Sequence, residues 1–322
     1  MFKTLLRVGI CATLLACLSQ QAAAQYPDRP VAIVVPFGAG GPSDTITRIL
    51  AEELQRQLGA TFIVENKPGA GGLIGTQHLV KATPDGYTIG LAVNSNMVTS
   101  IALKDNPPHE ATDLDMIGCF AEFPLVLVGP PSGKFASLQD LLKAAKDAPG
   151  KLNWASTSMS TQMFAGLDFL SAAGLSAVNV PFGGAENAVI TSLLLTEKPS
   201  DFAVVLGPSV MGPKVKVLGI FGEKRSSFFL GVPTLAEGGV KNLGKRSPIF
   251  FALAAPRGTP QAIKDKLLKA LEVAQQNPEI IKRLAPFATT PLKCGSTALA
   301  EMIALDRSMV EKTMAANGSK RQ

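Results

Sequence analysis

The chain has 322 residues, 46% of them apolar and 17% charged, with 31 Lys and Arg against 25 Asp and Glu. That length accommodates two domains with hydrophobic cores, and the apolar fraction excludes a disordered chain. Two histidines and four cysteines exclude most metal sites rich in those residues, and 6% aromatics without a dense basic run argue against nucleic-acid binding.

The first segment, Met1–Ala24, is predicted to be a secretory signal peptide. Two basic residues precede the apolar stretch Val8–Leu18, and Ala22–Ala24 provides a small-residue cleavage site. The apolar stretch is too short to span a bilayer. An alternative uses Cys17 as a lipoprotein processing site, which would leave the protein anchored by lipid. Both interpretations predict an exported protein.

Cleavage after Ala24 would leave two cysteines, Cys119 and Cys294. In an oxidising compartment they could form one disulfide. They are far apart in sequence, and both have apolar or glycine-rich neighbours. Two buried and unpaired thiols are therefore the alternative that stays open.

The segment after the predicted signal alternates between strand and helix patterns. Val31–Val35 is a short, continuous apolar run typical of a buried parallel strand. Pro42–Leu58 has apolar residues at helical spacing. The next three patterns predict a strand at Thr61–Val64, a helix at Leu73–Lys81 and a strand at Tyr87–Val93. This β-α-β-α-β order indicates a parallel sheet with right-handed crossovers.

The rest of the chain repeats this alternation, which implies a second sheet. No strand or helix is predicted between Val93 and Leu125, where Asp113 and Asp115 are interpreted as loop acids. Strands are predicted at Leu125–Val128, Leu152–Ala155, Ala177–Val180, Phe202–Leu206, Val215–Ile220 and Ile249–Ala254. Helices are predicted at Leu138–Lys146, Gln162–Ala173, Ala185–Leu195, Pro260–Gln276, Pro278–Leu284 and Thr297–Ala315.

A weak internal echo links the two parts of the chain. Val35–Ala39 resembles Val180–Gly184, and each segment follows a predicted strand and precedes a predicted helix. The first turn of each helix carries an acid, Asp44 in one and Glu186 in the other. The two helix starts are therefore equivalent positions in the two parts.

The glycine-rich loop Gly38–Gly41 lies where dinucleotide-binding proteins carry a glycine fingerprint. Ser43 stands where the third glycine of that fingerprint would be, and Pro42 interrupts the turn. We therefore expect no nucleotide cofactor, and a dinucleotide-dependent enzyme is kept only as the alternative from another class. Glycines beside a helix N-terminus suit a carboxylate as well as a phosphate.

The sequence contains no recognisable catalytic constellation. A G-x-S-x-G elbow is absent, and His78 and His109 are interpreted as surface residues. The hydroxyl-rich stretch Ser156–Thr161 follows a predicted strand and precedes a predicted helix. It is either a polar loop with a helix cap or a set of donors for an anion, and its place at the end of a strand favours the donors. We expect neither catalysis nor a bound metal or cofactor.

Seven motifs occur in one order along nearly the whole chain that follows the predicted signal. They are Tyr26–Pro30, Val34–Gly41, Val64–Gly72, Pro84–Thr88, Pro149–Trp154, Val232–Gly239 and Ala255–Pro260. In order and spacing, these motifs resemble the tripartite tricarboxylate transporter receptors, also called Bug-type periplasmic solute-binding proteins.

The resemblance implies an α/β, two-lobed periplasmic-binding-protein fold of type II-like architecture. Each lobe would be a mostly parallel sheet flanked by helices, with a cleft between the lobes. Lobe 1 would comprise residues 25–122 and 244–322, and lobe 2 residues 123–243. The lobes would close around a small carboxylate by a hinge motion of the crossover strands.

The resemblance also implies a ligand site in the cleft. The carboxylate would rest on the loop after the first strand, and a polar loop after the third strand and three loops from lobe 2 would surround it. The residues expected to bind the ligand are Phe37, Gly38, Ala39, Gly40, Gly41, Ser43, Asp44, Asn94, Ser95, Ser156, Thr157, Ser158, Ser160, Thr161, Phe182, Gly183, Gly184, Gly207 and Ser209.

Lobe 2 departs from the family pattern at that site. The loop Ser156–Thr161 is rich in hydroxyls where the family is usually glycine-rich, and Phe182-Gly183-Gly184 replaces the family's Tyr-Lys-Gly turn. These changes suggest a ligand with a less polar tail, or a second lobe that no longer binds tightly. By their equivalent positions, Phe37 and Phe182 are predicted to face each other across the cleft and to flank an aromatic or alkyl acid.

The function implied is that of a monomeric periplasmic receptor without catalytic activity. It would capture a small carboxylate and deliver it to inner-membrane transporter or sensor subunits. A ligand-sensing receptor for a signalling partner is the alternative within the same class. No nucleic-acid partner is expected.

Overall fold

The computed structural model describes residues 26–131, 134–158, 160–183, 186–197, 199–212, 215–241, 243 and 248–318. The predicted signal peptide and Cys17 lie outside these residues. The strands are β1 (Val31–Val35), β2 (Phe62–Asn66), β3 (Thr88–Ala92), β4 (Leu114–Phe123), β5 (Leu125–Gly129), β6 (Asn153–Thr157), β7 (Val178–Phe182), β8 (Phe202–Leu206), β9 (Lys216–Ile220), β10 (Ile249–Pro256) and β11 (Thr290–Pro291).

Eight longer helices lie between or after these strands in the described part of the chain. They are α1 (Pro42–Leu58), α2 (Leu73–Val80), α3 (Leu138–Asp147), α4 (Thr161–Ala173), α5 (Glu186–Leu194), α6 (Gln261–Gln276), α7 (Pro278–Leu284) and α8 (Ser296–Ala316). Shorter helical turns are Ala70–Gly72, Ser95–Thr99, Ser100–Ala102, Ala111–Asp113, Gly207–Val210 and Ala285–Phe287.

The strands form two sheets, as the alternating pattern predicts. The first has six strands in the order β11-β4-β10-β3-β1-β2, and the second has five in the order β7-β6-β8-β5-β9. In each sheet three neighbouring strands run parallel, β2-β1-β3 in the first and β7-β6-β8 in the second. The remaining pairs are antiparallel, so both sheets are mixed. The expected two-sheet α/β architecture is confirmed, with a smaller parallel share than predicted.

The chain crosses twice between the sheets. β4 passes through Pro124 directly into β5, and the return path leads from β9 to β10. The first sheet is therefore built from the two ends of the described chain, and the second sheet from its middle. The crossing strands β4 and β10 pair antiparallel in the first sheet, and the crossing strands β5 and β9 pair antiparallel in the second.

β4 is a ten-residue strand where the sequence pattern predicts a loop. The acid Asp115 and the glycine Gly118 interrupt its apolar run, and this conceals the strand pattern. In the fold Cys119 and Ala121 are fully buried, and β4 pairs with β10 along its whole length. Asp115 accepts hydrogen bonds from the Gly258 N–H and the Lys264 ammonium, so its charge is paired.

The core of the second sheet is organised around Trp154. This side chain is fully buried and stacks against Phe202, with ring centroids 6.2 Å apart. Gly166 on α4 lets the helix approach the indole, because a Cβ at that position would lie 2.2 Å from Trp154 Cζ3. An alanine at position 166 would therefore force the helix away from the sheet.

Helix α4 also contacts the first sheet's half of the molecule. Phe164, on α4, is fully buried in a hydrophobic cluster with Met97, Val98 and Leu299. Those three residues belong to the turn after β3 and to α8. The two halves are thus joined by packing as well as by the two crossings.

Cys119 and Cys294 form a disulfide, with Cα atoms 5.0 Å apart. The bond joins β4 to the segment that precedes α8, and the Cys119 N–H donates to the Cys294 carbonyl at 2.9 Å. The Gln275 amide donates to the Cys119 carbonyl at 2.8 Å. Of the two alternatives left open by the sequence, the disulfide is the one that the fold supports.

The two histidines have different environments. His78 is exposed on α2, as predicted. His109 is buried, which contradicts the predicted surface position. Burial lowers the pKa of His109, although the nearby acids Asp113 and Glu110 act in the opposite direction. His109 is therefore a neutral residue of the scaffold at neutral pH.

Candidate functional site

The loops predicted to bind a ligand follow the carboxyl ends of parallel strands in both sheets. In the first sheet they follow β1 and β3, and in the second they follow β6, β7 and β8. The two sheet edges meet, because the Thr99 and Thr161 hydroxyls are 3.0 Å apart. A crevice at the carboxyl ends of parallel strands is where open α/β sheets bind ligands.

The loop after β1 is organised by the buried carboxylate of Asp44. Its Oδ2 accepts from the Gly40 N–H at 2.9 Å and from Arg48 Nε at 3.1 Å. Its Oδ1 accepts from Asn66 Nδ2 at 3.0 Å, and Asn66 also donates to the Phe37 carbonyl at 3.1 Å. The backbone φ of +80° at Gly40 is one that side chains rarely adopt. Asp44 therefore shapes the loop.

The ionisation of Asp44 follows from these contacts. Burial acts to raise its pKa, but hydrogen bonds from Arg48, the Gly40 N–H and Asn66 outweigh burial and hold the pKa below the ordinary value. The carboxylate is therefore charged at neutral pH. Its oxygens already accept hydrogen bonds from the loop, from α1 and from β2. The surface left for a ligand is the exposed backbone of Gly38, Ala39 and Gly40.

Helix α1 begins next to this exposed backbone. Its N-cap, Gly41, provides no side-chain hydrogen bond, and Pro42 occupies the first turn. Ser43 is half-buried beside them. The N–H groups of an uncapped first turn, together with the helix dipole, attract an anion.

Replacing Asp44 by alanine is expected to lower the free energy of unfolding by about 2–3 kcal/mol, because buried donors lose a charged acceptor. Ligand affinity is expected to fall as well, since the Gly40 backbone loses its anchor. Ser43→Ala is the matched control, and it should leave stability within about 0.5 kcal/mol. Urea unfolding measures the stability of both variants, and binding titrations measure their ligand affinity. An Asp44→Ala protein as stable as the wild type would contradict this role.

The same contacts predict a pH dependence for this loop. Because the pKa of Asp44 is lowered in the folded state, its contribution to stability is present above the pKa of the unfolded chain. That contribution is lost as pH falls through the lowered pKa, and the Asp44→Ala variant should lack this acid-side loss.

The loop after β3 contains Asn94 and Ser95. Asn94 is buried, and its amide donates to the Pro248 carbonyl and to Asp306 on α8, while its oxygen accepts from the Phe250 N–H at 3.0 Å. The side chain of Asn94 thus joins β10 and α8 to this loop. Ser95 is half-buried. Its hydroxyl and the local backbone are the polar groups that remain at this edge.

The hydroxyl-rich loop after β6 provides the helix cap that the sequence left open, and its role as a set of donors for an anion stays a prediction. Ser160 caps α4, because its Oγ accepts from the Met163 N–H at 3.2 Å. Ser156 is fully buried and bonded to Asn179 at 3.0 Å. Thr157 and Ser158 are half-buried. The loop is therefore partly scaffold and partly a surface with free hydroxyls.

The loops after β6, β7 and β8 are close to one another. The Ser158 N–H donates to the Phe182 carbonyl at 2.9 Å, and the Gly207 N–H donates to the Pro124 carbonyl at 2.8 Å. Gly183 is exposed, and Gly184 lies outside the described residues. Three of the predicted segments thus form one surface beside the first crossing.

Glu186, the first residue of α5, joins these loops. Its Oε1 accepts from the Leu206 N–H at 2.7 Å and from Gln162 Nε2 at 3.2 Å, and its Oε2 accepts from the Ser209 hydroxyl. Burial raises the pKa of Glu186, while the hydrogen bonds from Ser209, the Leu206 N–H and Gln162 act against that rise. The sequence singled out Glu186 only as the equivalent of Asp44, and this equivalence was the available signal for a loop-organising acid.

Phe37 and Phe182 pack against different hydrophobic clusters. Phe37 is half-buried against the hydrophobic cluster that includes Val35 and Leu50. Phe182 is half-buried against a separate cluster that includes Val189. The hypothesis that the two rings flank a ligand stays a prediction, because each half-buried ring packs against its cluster and keeps part of its surface exposed.

Two cavities lie away from the predicted loops. One of about 560 Å³ lies at the crossings, between the β11-β4-β10 part of the first sheet and the β5-β9 part of the second. The other, of about 680 Å³, lies between β4, α6 and α8. None of the predicted ligand-binding residues lines either cavity. The predicted loops are thus separate from the lining of both cavities, although Gly207 is bonded to Pro124, which lines the first.

A membrane-crossing helix and a cluster of metal-binding side chains are both absent from the described residues. No helix in those residues has the length and apolar character needed to cross a membrane. In the same part of the chain, no three His, Cys, Asp or Glu side chains are arranged to hold a metal ion.

The chain is similar to known proteins over most of its length. Residues 46–317 match the family model described as the tripartite tricarboxylate transporter family receptor. The protein BugT of Bordetella pertussis is 31% identical over 297 residues, which cover 91% of this chain and 90% of that protein. The structure of the periplasmic binding protein BugD superposes with a TM-score of 0.77 at 28% identity, over 92% of this chain and 100% of BugD.

A second solved structure carries a bound molecule. MatC from Rhodopseudomonas palustris, with bound malate, superposes with a TM-score of 0.75 at 25% identity. The match covers 89% of this chain and 99% of MatC.

Proposed function

The chain belongs to the tripartite tricarboxylate transporter receptor family, and we propose that it is a periplasmic solute-binding receptor for a small carboxylate. The observation that carries the proposal is the meeting of two sheet edges at Thr99 and Thr161, with loops from the ends of five parallel strands around them. The malate bound to MatC supports a carboxylate as the ligand class. The receptor binds and releases its ligand without catalysing a reaction.

The two sheets correspond to two lobes in this proposal. Lobe 1 comprises residues 25–122 and 244–322, and lobe 2 residues 123–243, with the crossings as the hinge. The distribution of strands between the sheets supports this division. Residues 1–24 direct export, and the mature receptor acts as a monomer that delivers its ligand to membrane subunits.

The ligand carboxylate is held mainly by the main chain. The exposed backbone of Gly38–Gly40 and the first turn of α1 bind one end of the ligand through N–H groups and bridging water. The hydroxyls of Thr157, Ser158 and Ser209 line the other half of the crevice. Asp44, Asn94 and Glu186 act by shaping the loops.

A thermal-shift series tests this function. Malate, adipate and benzoate are compared with their uncharged amides, which keep the shape and lose the charge. At about one hundred times its Kd, a bound carboxylate is expected to raise Tm by about 5 °C or more. Amides should give no comparable shift. Carboxylates that leave Tm unchanged throughout such a series would contradict the proposal.

A further inference from the structure

One half-buried carboxyl group holds three loops of the second sheet. Glu186 follows β7 and accepts from the Leu206 N–H at the end of β8. It also accepts from Gln162, in the first turn of α4 after β6, and from the Ser209 hydroxyl in the turn after β8. Each of these loops contains residues that the proposed function assigns to the ligand site.

In the described part of the chain, the elements that pack against the helix of Glu186 carry no other charge. Helix α5 packs against β6, β7, β8 and the turn Gly207–Val210. None of these four elements contains Asp, Glu, Lys, Arg or His, and Glu186 is the only such residue of α5. On α4, the ionisable residue is Asp168, which is bonded to Thr313 on α8. The three donors to Glu186 are all uncharged groups.

Such an environment acts on the ionisation of a carboxyl group in opposite directions. Burial raises the pKa of Glu186, whereas its three hydrogen-bond donors lower it. Its position at the start of α5 also favours the charged form through the helix dipole. The group therefore exchanges its proton at a higher pH than an exposed glutamate does.

We infer that Glu186 is a proton-dependent positioning residue, through which the affinity of the site for a carboxylate falls as pH rises. The inference rests on the proposed function. It names a form of regulation of that same site, in which ligand binding is accompanied by proton uptake.

The hydrogen bond to Ser209 explains the coupling. A serine hydroxyl has one proton, and an ionised Glu186 accepts it, so Ser209 offers only lone pairs to the crevice. A protonated Glu186 donates its own proton to Ser209 Oγ and releases the serine proton for a ligand oxygen. In addition, an ionised Glu186 repels a ligand carboxylate through a poorly screened medium. Both effects weaken anion binding at higher pH.

The test measures the affinity of the wild type and Glu186→Gln for malate, adipate and benzoate from about pH 5 to pH 8. Glutamine keeps an acceptor for the Leu206 N–H and mimics the neutral acid. The wild-type affinity is expected to fall about tenfold over this range, while Glu186→Gln stays flat and binds about tenfold more tightly at the upper end. A variant with the wild-type pH slope overturns the inference.

Glu197→Gln is the matched control. It removes one carboxylate from the same region of the chain, but Glu197 is exposed beyond the end of α5. This variant should keep the wild-type pH slope. A slope lost equally in both variants would assign the effect to net charge and would also overturn the inference.

A measurement without ligand separates this inference from the proposed function. Because the pKa of Glu186 is raised in the folded state, the wild type should lose stability relative to Glu186→Gln as pH rises through that pKa. Urea unfolding at several pH values shows this directly. If no probe binds to any variant, the proposed function fails. Parallel stability curves for the two proteins refute the role of Glu186 even if binding is observed.

Discussion

Replacing both Cys119 and Cys294 by alanine is expected to lower the free energy of unfolding by about 3–5 kcal/mol. The two residues are 175 positions apart in sequence. A cross-link over so long a segment removes many conformations from the unfolded chain, and this is the main source of stabilisation in the loop-entropy model. In the fold it also fastens the segment before α8 to β4.

Alanine is preferred to serine in this experiment because both cysteines are buried and a serine would bury an unpaired hydroxyl. The wild type, reduced under native conditions, is the control for the alanine substitutions, and its urea unfolding should match that of the double variant. A double variant within about 1 kcal/mol of the oxidised wild type would contradict the expected contribution. Ligand affinity should be retained wherever the protein is folded, since the disulfide lies on β4 and not at the predicted loops.

Phe164→Ala is expected to cost about 3–5 kcal/mol and to loosen the contact between the two halves. The Phe164 side chain is fully buried, although α4 belongs to the second sheet's half. It lies in a cluster with Met97, Val98 and Leu299 from the other half. Truncation therefore leaves a cavity at the contact between the halves.

Phe169→Ala is the matched control, because Phe169 is on the same helix and is also fully buried. Its ring packs edge-on against Phe202 within the second sheet's half. Both variants should lose similar stability. Hydrogen exchange should increase in α8 and in the turn Ser95–Thr99 only for Phe164→Ala. Equal exchange in those segments for both variants would show that Phe164 does not join the halves.

This packing also bears on ligand-driven closure. The crossings alone would allow the two sheets to rotate freely about Pro124 and the return path to β10. Phe164 is inserted into the other half. A rotation of one half therefore has to move α4 across the cluster around Met97 or pull α4 away from that cluster. The packing of α4 is thus expected to limit the range of hinge motion in this receptor.

Much of the secondary structure could be predicted because the signals are local. The pattern predicts Pro42–Leu58 and Phe202–Leu206 with the bounds found in the fold, since a periodic apolar face or a short apolar run depends only on neighbouring residues. The order of the elements was enough to predict two sheets of an α/β fold. The seven motifs along the chain were enough to predict the family.

β4 and His109 show where local patterns fail. The acid and glycine in β4 mask a strand that lies inside a sheet, and its burial depends on β10, which is more than a hundred residues away in sequence. His109 has polar and proline neighbours in sequence, yet the folded chain covers it. Burial is decided by distant segments, and no local pattern contains that information.

The candidate site also has features that the sequence could predict and features that it could not. Glycines, hydroxyls and first-turn acids in the sequence predicted the loops after β1 and β6 and the pair of acids, Asp44 and Glu186, and the resemblance to the family implied the other loops. Only the tertiary structure decided what each group does. Asp44 accepts a hydrogen bond from its own loop, Asn94 joins α8 to β10, and Glu186 holds three loops at once. The physical reason is that a hydrogen bond between residues far apart in sequence requires both partners to be placed by the packing of the whole fold.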